Sequence, residues 1–242
     1  MFRLRYGLRG VPVDIAGHRL RLDESLRRFR FDGDAALQSA FCDILRPGDA
    51  ALDVGANFGL YTLLAADLVG SGGQVLAFEP IPKTVRLLQH NIRLNGFEER
   101  VQVVPKVVSN SKESHLTMRV EADSSEPDAT ASLCPEKNAA NTLRVENTRL
   151  DDMNFPADRR LRLIKVDVEG AELDVLRGGE NLIRRCRPVL AVEVHGGGLR
   201  SFGHSVEQLH AYVEQMGYGQ QKLESPAFHA DYYQVIFTPQ GK

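Results

Sequence analysis

Acidic side chains and a histidine follow two apolar runs in the second half of the chain. Asp167 and Glu169 come at the end of the first run, and Glu193 and His195 end the second. Neighbouring parallel strands end at the same edge of a sheet, so these side chains are expected to lie together. Because an imidazole titrates near neutral pH, His195 is the leading candidate for a general base. The glycines at 196–198 are expected to leave room beside it for an acceptor molecule.

A glycine-containing loop earlier in the chain has the pattern of a cofactor site. The run Asp-Val-Gly-Ala-Asn-Phe-Gly lies between an apolar run and a helical pattern. Glycines tolerate positive φ and let a ligand approach the backbone, and the helix start directs free N–H groups at an anion. A plain tight turn has the same glycine spacing, so the loop alone does not define a ligand. The candidate cofactor-binding residues in this run are Asp53, Gly55, Ala56, Asn57 and Gly59.

Glu79 adds a candidate ribose-binding group. It follows the second apolar run, 24 residues after Gly55, where a carboxylate can accept both hydroxyl protons of an adenosine ribose. NAD and S-adenosylmethionine both contain that ribose, so the choice between the two cofactors depends on the glycine loop. Asn57 occupies the second-glycine position of the dinucleotide pattern G-x-G-x-x-G and would crowd a pyrophosphate. A methionine moiety carries only a carboxylate and an ammonium, so the pattern favours S-adenosylmethionine.

Strand and helix patterns alternate from about residue 50 onward. This alternation predicts an α/β fold with a doubly wound, mostly parallel sheet and helices on both faces. The terminal strand is expected to be antiparallel and at or near the sheet edge. The apolar runs that predict strands are at 50–54, 74–78, 101–104, 161–168, 188–194 and 232–238.

Two segments depart from this alternation. Residues 1–48 are expected to form an N-terminal cap segment with a helix at 35–45, and residues 49–242 form the main domain. A lid-like insertion is expected at about 109–150, because a polar stretch at 121–141 has the composition of a mobile loop. An inert surface excursion has the same composition, so both readings stay open. The short strands predicted within the insertion are at 116–120 and 142–146.

Four motifs resemble those of the FkbM family of methyltransferases. They are VGANFGLYT, AFEP, KVDVEGAELDVLRGG and RPVLAVEVH, in the order and at roughly the spacing typical of that family. The resemblance covers about residues 49–218, and VDVEGAELDVLRG is its most specific part. It implies a seven-stranded, Rossmann-like class I methyltransferase fold with S-adenosylmethionine as the methyl donor. It also implies, most often, O-methylation of a hydroxyl on a secondary-metabolite, sugar or glycolipid acceptor.

The resemblance implies roles for individual cofactor-site residues. Gly55, Asn57 and Gly59 would surround the methionine end of the cofactor. Glu79 would bind the ribose. Ile81 would lie on the adenine face, although an isoleucine at this position also serves ordinary packing.

Two residues of the VDVEG motif are expected to act on the cofactor or the acceptor, and a lysine just before it is expected to support an acid. Asp167 occupies a position that class I enzymes place near the methionine ammonium and the acceptor, so it is assigned to cofactor positioning with a second role toward the acceptor. Glu169 is a further candidate for proton transfer, although an acid before a helix start is also stabilised by the helix dipole. Lys165 is expected to pair with an acid, because a lysine in a buried strand is costly without a partner.

A magnesium-assisted mechanism is the alternative to a side-chain base. Catechol-type O-methyltransferases hold magnesium with carboxylates near the same strand ends, and the metal acidifies the acceptor hydroxyl. Asp167 and Glu169 could imitate part of that arrangement. The fifth core strand ends in Glu-Val-His rather than in an Asp-Asn pair. Metal-independent chemistry is therefore favoured, and no metal ligands are assigned.

Composition limits the choice of partners and compartment. A net charge of −2 gives no general attraction to nucleic acid or anionic membrane, and an Asn/Asp-Pro-Pro-Tyr base-flipping motif is absent. The three cysteines lack a Cys-x-x-Cys pair, which fits a reducing compartment. The start has no secretory pattern and no run approaches the roughly 20 apolar residues of a membrane span, so a cytoplasmic location is expected.

The expected partner is a small-molecule or glycan acceptor. A homodimer through the terminal strand or the cap is also compatible with the sequence. Two rivals remain open at this point. One is an NAD(P)-dependent oxidoreductase of Rossmann type, and the other is a domain that binds S-adenosylmethionine without turnover.

Overall fold

The structure, a computed structural model, describes residues 9–28, 34–120, 132–133, 142–156, 159–224, 229 and 231–241. Most of the polar stretch at 121–141, including Cys134, lies outside these residues. Within the described ranges, no helix has both the length and the hydropathy needed to cross a membrane.

Thirteen strands and seven helices are described. The strands are β1 (Val11–Ile15), β2 (His18–Leu22), β3 (Ala50–Val54), β4 (Gln74–Phe78), β5 (Val101–Val104), β6 (Val107–Val108), β7 (His115–Arg119), β8 (Ser132–Leu133), β9 (Thr142–Thr148), β10 (Leu161–Val166), β11 (Val189–His195), β12 (Tyr218–Lys222) and β13 (Tyr232–Pro239). The helices are α1 (Ala35–Ile44), α2 (Leu60–Val69), α3 (Pro82–Asn95), α4 (Glu172–Gly178), α5 (Glu180–Cys186), α6 (Gly196–Ser201) and α7 (Val206–Gln215).

The central sheet has seven strands in the order β12-β13-β11-β10-β3-β4-β5. β13 runs antiparallel to both of its neighbours, and the other pairs are parallel. The predicted α/β class and mostly parallel sheet are therefore confirmed. The C-terminal strand is antiparallel as predicted, and it lies one position inside the edge because β12 pairs outside it.

The register of the sheet aligns the ends of β3, β4 and β10 with a position inside β11. Val54 pairs with Phe78 on one side and with Val166 on the other, and Val166 pairs with Val192. The residue after each of these positions therefore emerges at the same edge of the sheet. Those next residues are Gly55, Glu79, Asp167 and Glu193.

Apolar side chains form a core on each face of the sheet. Leu52 and Val54 belong to a cluster with α4, α5 and α7. The opposite cluster contains α2 and α3, and the N-terminal segment joins it through Ile15, Leu22 and Phe41. Fully burying such a side chain contributes about 1.5–3 kcal/mol. The hairpin of β1 and β2 and the helix α1 thus pack into the main core.

Several elements differ from the sequence-based predictions. The hairpin, β12 and α5 were not predicted, because their short or polar runs give no clear periodicity. The glycines at 196–198, which were predicted to leave room for an acceptor, begin α6. Gly198 lies against the backbone of Gly170, and a Cβ on Gly198 would come within 2.7 Å of the Gly170 Cα. Gly198 therefore permits a close backbone contact with the turn at Gly170.

The insertion after β5 forms a small second sheet. Its strands follow the order β6-β9-β7-β8, and β7 and β9 correspond to the two strands predicted there. Val107, Met118 and Val145 of this sheet form an apolar cluster with Ile81. The insertion therefore packs beside the carboxyl end of β4.

Candidate active site

The loop after β3 is held close to two neighbouring strands. The backbone N–H groups of Gly55 and Ala56 donate to the carbonyl oxygen of Phe78 at 3.1 and 2.9 Å. Gly55 has φ of +83°, and a Cβ there would lie 1.8 Å from the carbonyl oxygen of Asp167. Only glycine fits this position, because both the dihedral angle and the close approach exclude a side chain.

Glu79 is buried and fixed by the backbone around it. Its two carboxylate oxygens accept N–H hydrogen bonds from Asn57 at 3.0 Å and from Ile81 at 2.9 Å. Its residue exposure is 6%. A carboxylate at this strand end is the kind of group that accepts hydrogen bonds from ribose hydroxyls.

A cleft of about 650 Å³, partly open to solvent, lies at the level of these strand ends. The three strands β3, β4 and β10 supply its floor and the insertion supplies a further wall. The lining residues are Val54, Gly55, Asn57, Phe78, Glu79, Pro80, Ile81, Lys106, Val107, Val108, Met118, Asp167, Val168 and Glu169.

The sequence analysis missed the wall that the insertion supplies. Val107, Val108 and Met118 line the cleft together with Gly55 and Asn57 of the glycine loop. Ile81 contacts this group, which makes the side near Ile81 apolar. No local motif marks these residues, because their approach to the cleft depends on how the insertion folds back.

Of the predicted cofactor residues, Gly55, Asn57, Glu79, Ile81 and Asp167 line the cleft, and Asp53, Ala56 and Gly59 are not among its lining residues. The Asp53 carboxylate lies below the loop, where it accepts a 2.5 Å hydrogen bond from the Thr62 hydroxyl. Gly59 begins α2 in a left-handed conformation with φ of +98°. A Cβ on Gly59 would lie 2.5 Å from the Leu88 side chain.

Lys165 has the buried acidic partners that the sequence predicts. Its Nζ lies 3.0 Å from Asp167 Oδ2 and 3.7 Å from Asp53 Oδ1. Burial alone would lower the pKa of Lys165, but the charges of Asp167 and Asp53 outweigh it and raise the pKa above its usual value. The lysine is therefore charged, and it fixes Asp167 on the side of the sheet that faces α2.

His195 is surrounded by carboxylates, as its position at a strand end predicts. Its Nδ1 lies 2.9 Å from Glu172 Oε1. Its Nε2 lies 3.5 Å from Glu169 Oε2 and 3.6 Å from Glu193 Oε1. Burial lowers the pKa of His195, but the Glu172 hydrogen bond and the nearby carboxylates, including Asp167, raise it to about 9. The imidazole is therefore protonated at neutral pH in the absence of ligands.

Two of the carboxylates that contact His195 also have shifted pKa values. Burial raises the pKa of Glu169 to about 7, with the neighbouring acids adding to the effect and His195 opposing it. Burial and Asp167 raise the pKa of Glu193, although it accepts hydrogen bonds from Tyr232 at 2.6 Å and from Gln234 at 2.8 Å. A group with a pKa near neutrality, such as Glu169, suits proton transfer.

The cluster carries more negative than positive charge. Five carboxylates surround two cations. Lys165 lies beside Asp53 and Asp167. His195 lies beside Glu169, Glu172 and Glu193. Ligands with positive charge are therefore favoured at this end of the cleft, and anionic ligands are disfavoured.

A metal ion is another cation that this geometry can accommodate. Asp167, Glu193 and His195 each offer one atom, and the three atoms lie within 4.8 Å of one another. The sequence favours metal-independent chemistry without metal ligands, and this remains a prediction. Lys165 and the protonated His195 already provide two cations beside these oxygens.

The sheet topology and the acid-lined cleft at its switch point define a class I methyltransferase fold, and solved structures share it. A methyltransferase FkbM from Methylobacillus flagellatus KT superposes with a TM-score of 0.54 at 18% identity, covering 88% of this chain and 56% of that chain. A SAM-dependent methyltransferase from Aquifex aeolicus gives a TM-score of 0.51 at 17% identity, covering 89% of this chain and 93% of that one.

The family follows from the sequence match. The model of the methyltransferase FkbM domain matches residues 53–219, and the chain belongs to this family. Methyltransferase 1 of Beauveria bassiana (strain ARSEF 2860) is 32% identical over 153 aligned positions, and the match covers 54% of this chain and 59% of that protein. The chain thus spans less than two thirds of the length of this curated relative.

Proposed function

We propose that the protein transfers the methyl group of S-adenosylmethionine to a hydroxyl oxygen of a small-molecule, sugar or glycolipid acceptor. The charge of the cleft is the observation that carries this proposal. Glu79, Asp167 and Glu169 line it, and Lys106, the cation among the described lining residues, pairs with Glu146 at 3.1 Å. A dinucleotide would bring a pyrophosphate to these carboxylates, whereas S-adenosylmethionine brings a sulfonium and an ammonium.

The residues of the cleft suit the parts of this cofactor. Glu79 lines the cleft at the end of β4 and is an acceptor for the ribose hydroxyls, and the apolar side chains of Ile81 and Met118 suit the purine. The Oδ1 of Asn57 is buried without a hydrogen-bond partner among the described residues, and a donor such as the methionine ammonium would satisfy it. Asp167 lies at the same edge and contributes negative charge toward that ammonium.

The bound cofactor supplies a methyl group already activated on sulfur, so the protein must align the acceptor and remove its proton. The new O–CH₃ bond replaces the S–CH₃ bond, and the hydroxyl proton needs an acceptor. In its neutral form His195 can take that proton at Nε2, the nitrogen that faces Glu169 and Glu193. A positioned base contributes roughly 10²–10⁴-fold to rate.

Two other functions are less well supported by the site. An NAD(P)-dependent oxidoreductase would require the pyrophosphate to bind against three carboxylates. A non-catalytic binding domain would not need His195 within contact distance of Glu169, which lines the cleft. A nucleic-acid acceptor is disfavoured for the same electrostatic reason, because its phosphates would meet the acidic cluster.

Ligand-induced thermal stabilisation tests the cofactor. S-adenosylmethionine and S-adenosylhomocysteine should raise the Tm, because a ligand at about 100 times its Kd stabilises the folded state by about 2.7 kcal/mol. NAD and NADP should leave the Tm unchanged. Stabilisation by a nicotinamide cofactor alone would contradict the proposal.

Replacement of Glu79 tests the ribose contact. Glu79→Ala should weaken S-adenosylhomocysteine binding by about 1.5–3 kcal/mol, measured by calorimetry, because hydrogen bonds to a charged group are lost. Glu98→Ala is the control, since Glu98 is an exposed acid after α3. Equal affinities for a folded Glu79→Ala variant and the parent protein would show that another group binds the ribose.

Turnover separates an enzyme from a binding domain. The protein would be incubated with methyl-labelled S-adenosylmethionine and fractionated extract of the producing organism, and labelled products identified by mass spectrometry. We expect label on oxygen in a non-nucleic-acid product. Cofactor binding without any labelled product across all fractions would favour the non-catalytic alternative, and label on nitrogen would contradict O-methylation.

A further inference from the structure

We propose that Glu172 is a positioning residue that orients His195 for proton transfer. This inference rests on the proposed function of the site. Glu172 belongs to the first turn of α4, and an acid there can serve merely to stabilise the helix start. The contacts of Glu172 indicate a different role.

The carboxylate of Glu172 is held rigidly beside the imidazole. Glu172 is fully buried, and its Oε1 accepts the backbone N–H of Gly170 at 2.9 Å. The same oxygen lies 2.9 Å from His195 Nδ1. Because the carboxylate can only accept hydrogen bonds, Nδ1 must carry the proton in this contact.

This contact decides which nitrogen of the neutral ring has the free lone pair. With the proton kept on Nδ1, Nε2 becomes the acceptor, and it faces Glu169 and Glu193 at 3.5 and 3.6 Å. These neighbours are carboxylates, which cannot donate to Nε2 when ionised. A hydroxyl of the acceptor is the kind of group that would complete the arrangement, donating its proton to Nε2.

The backbone that carries Glu172 is also constrained. Glu169 adopts φ of +55° and Gly170 has φ of +116°, and Gly170 packs against Gly198 of α6. His195 directly precedes α6. The turn before α4 and the start of α6 therefore hold the two members of the pair at a set distance.

Two substitutions distinguish orientation from helix stabilisation. Glu172→Gln removes the charge with almost no change in shape. Glu172→Asp keeps an acid in the first turn, which serves the helix equally well, but withdraws the carboxylate from Nδ1 by about one carbon–carbon bond. The matched control is Asp174→Asn, because Asp174 lies in the same turn and contacts a different histidine, His204, at 3.3 Å.

The first readout is the ring proton of His195. NMR of the S-adenosylhomocysteine-loaded protein with ¹⁵N-labelled histidine should show a strongly downfield Nδ1–H resonance, assigned by its loss in His195→Ala. It should be lost or shifted upfield in both Glu172 variants and unchanged in Asp174→Asn. An unchanged resonance in a folded Glu172 variant would overturn the proposal.

The second readout is turnover with the acceptor fraction found in the labelling experiment. Both Glu172 variants should bind S-adenosylhomocysteine as the parent does and lose about 10²–10⁴-fold in kcat, the range for a misplaced base. If Glu172→Gln does not fold, the kcat of Glu172→Asp alone tests the proposal. A Glu172→Asp variant with parental kcat would show that the residue is only a helix acid. Parental kcat in His195→Ala would instead overturn the proposed role of His195 itself.

Discussion

The protonation of His195 predicts how methyl transfer responds to pH. Sequence alone suggests a fall in rate below pH 6–7, the range of an ordinary imidazole. The surrounding acids raise the pKa of His195 to about 9 in the ligand-free protein, so the structure predicts a fall in rate that begins at a higher pH. At pH 7 about one molecule in a hundred carries the neutral ring, because each pH unit below the pKa is a factor of ten. With both substrates well below saturation, the apparent rate constant reports the free enzyme and should therefore fall about tenfold per unit below pH 9.

The bound cofactor changes this value in a definite direction. Its sulfonium and ammonium are positive and would lie beside Asp167 and Glu169, so they disfavour a protonated His195. A kcat profile at saturating ligands should then have its inflection at lower pH than a kcat/KM profile that reports the free enzyme. Both are obtained from initial rates between about pH 6 and about pH 10.

Glu169→Gln tests whether the neighbouring carboxylates cause the shift. It removes an acid 3.5 Å from Nε2, so the inflection near pH 9 should move to lower pH. The variant also removes the titration of Glu169 near pH 7. Asp174→Asn should leave the profile unchanged. A profile that is flat between pH 7 and 9, or an inflection that Glu169→Gln does not move, would refute the reasoning.

Three further predictions concern the loop, the buried lysine and metals. Gly55→Ala should lower the Tm and abolish thermal stabilisation by S-adenosylhomocysteine, because its Cβ would meet the Asp167 carbonyl oxygen. Gly70→Ala is the control, since Gly70 also has a positive φ but open space around it, and this variant should still bind S-adenosylhomocysteine. Retained binding in Gly55→Ala would contradict the packing argument. Lys165→Met should lower the free energy of unfolding, measured in urea, by about 3–5 kcal/mol, since it leaves Asp53 and Asp167 without their cation. A decrease of less than about 1 kcal/mol would show that these acids do not need the lysine. Treatment with EDTA should leave kcat unchanged if His195 is the base, and activity lost to EDTA and restored by magnesium would assign Asp167, Glu193 and His195 to a metal instead.

Local patterns were sufficient to predict much of the cofactor site. Gly55 and Glu79 could be assigned because each directly follows a strand, and the order of strands and helices determines where strand ends meet. The acid partner of Lys165 could be anticipated from the cost of burying a charge. The strands that carry these residues all showed clear apolar runs.

Other features depend on contacts between distant segments. Met118 reaches the cleft through an insertion whose folding leaves no local signature. The glycines at 196–198 suggested free space, yet Gly198 is needed for contact with the backbone at Gly170. Glycine permits both an open loop and a tight approach, so composition does not distinguish them.

The sequence by itself determined the α/β class, the glycine loop and the acids at the strand ends, because these follow from periodicity and spacing along the chain. Only the tertiary structure decided the charge state of His195 and its pairing with Glu172. The two residues are 23 positions apart and meet through the turn at Gly170 and the start of α6. A pKa depends on burial and on charges brought close in space, and neither is a property of local sequence.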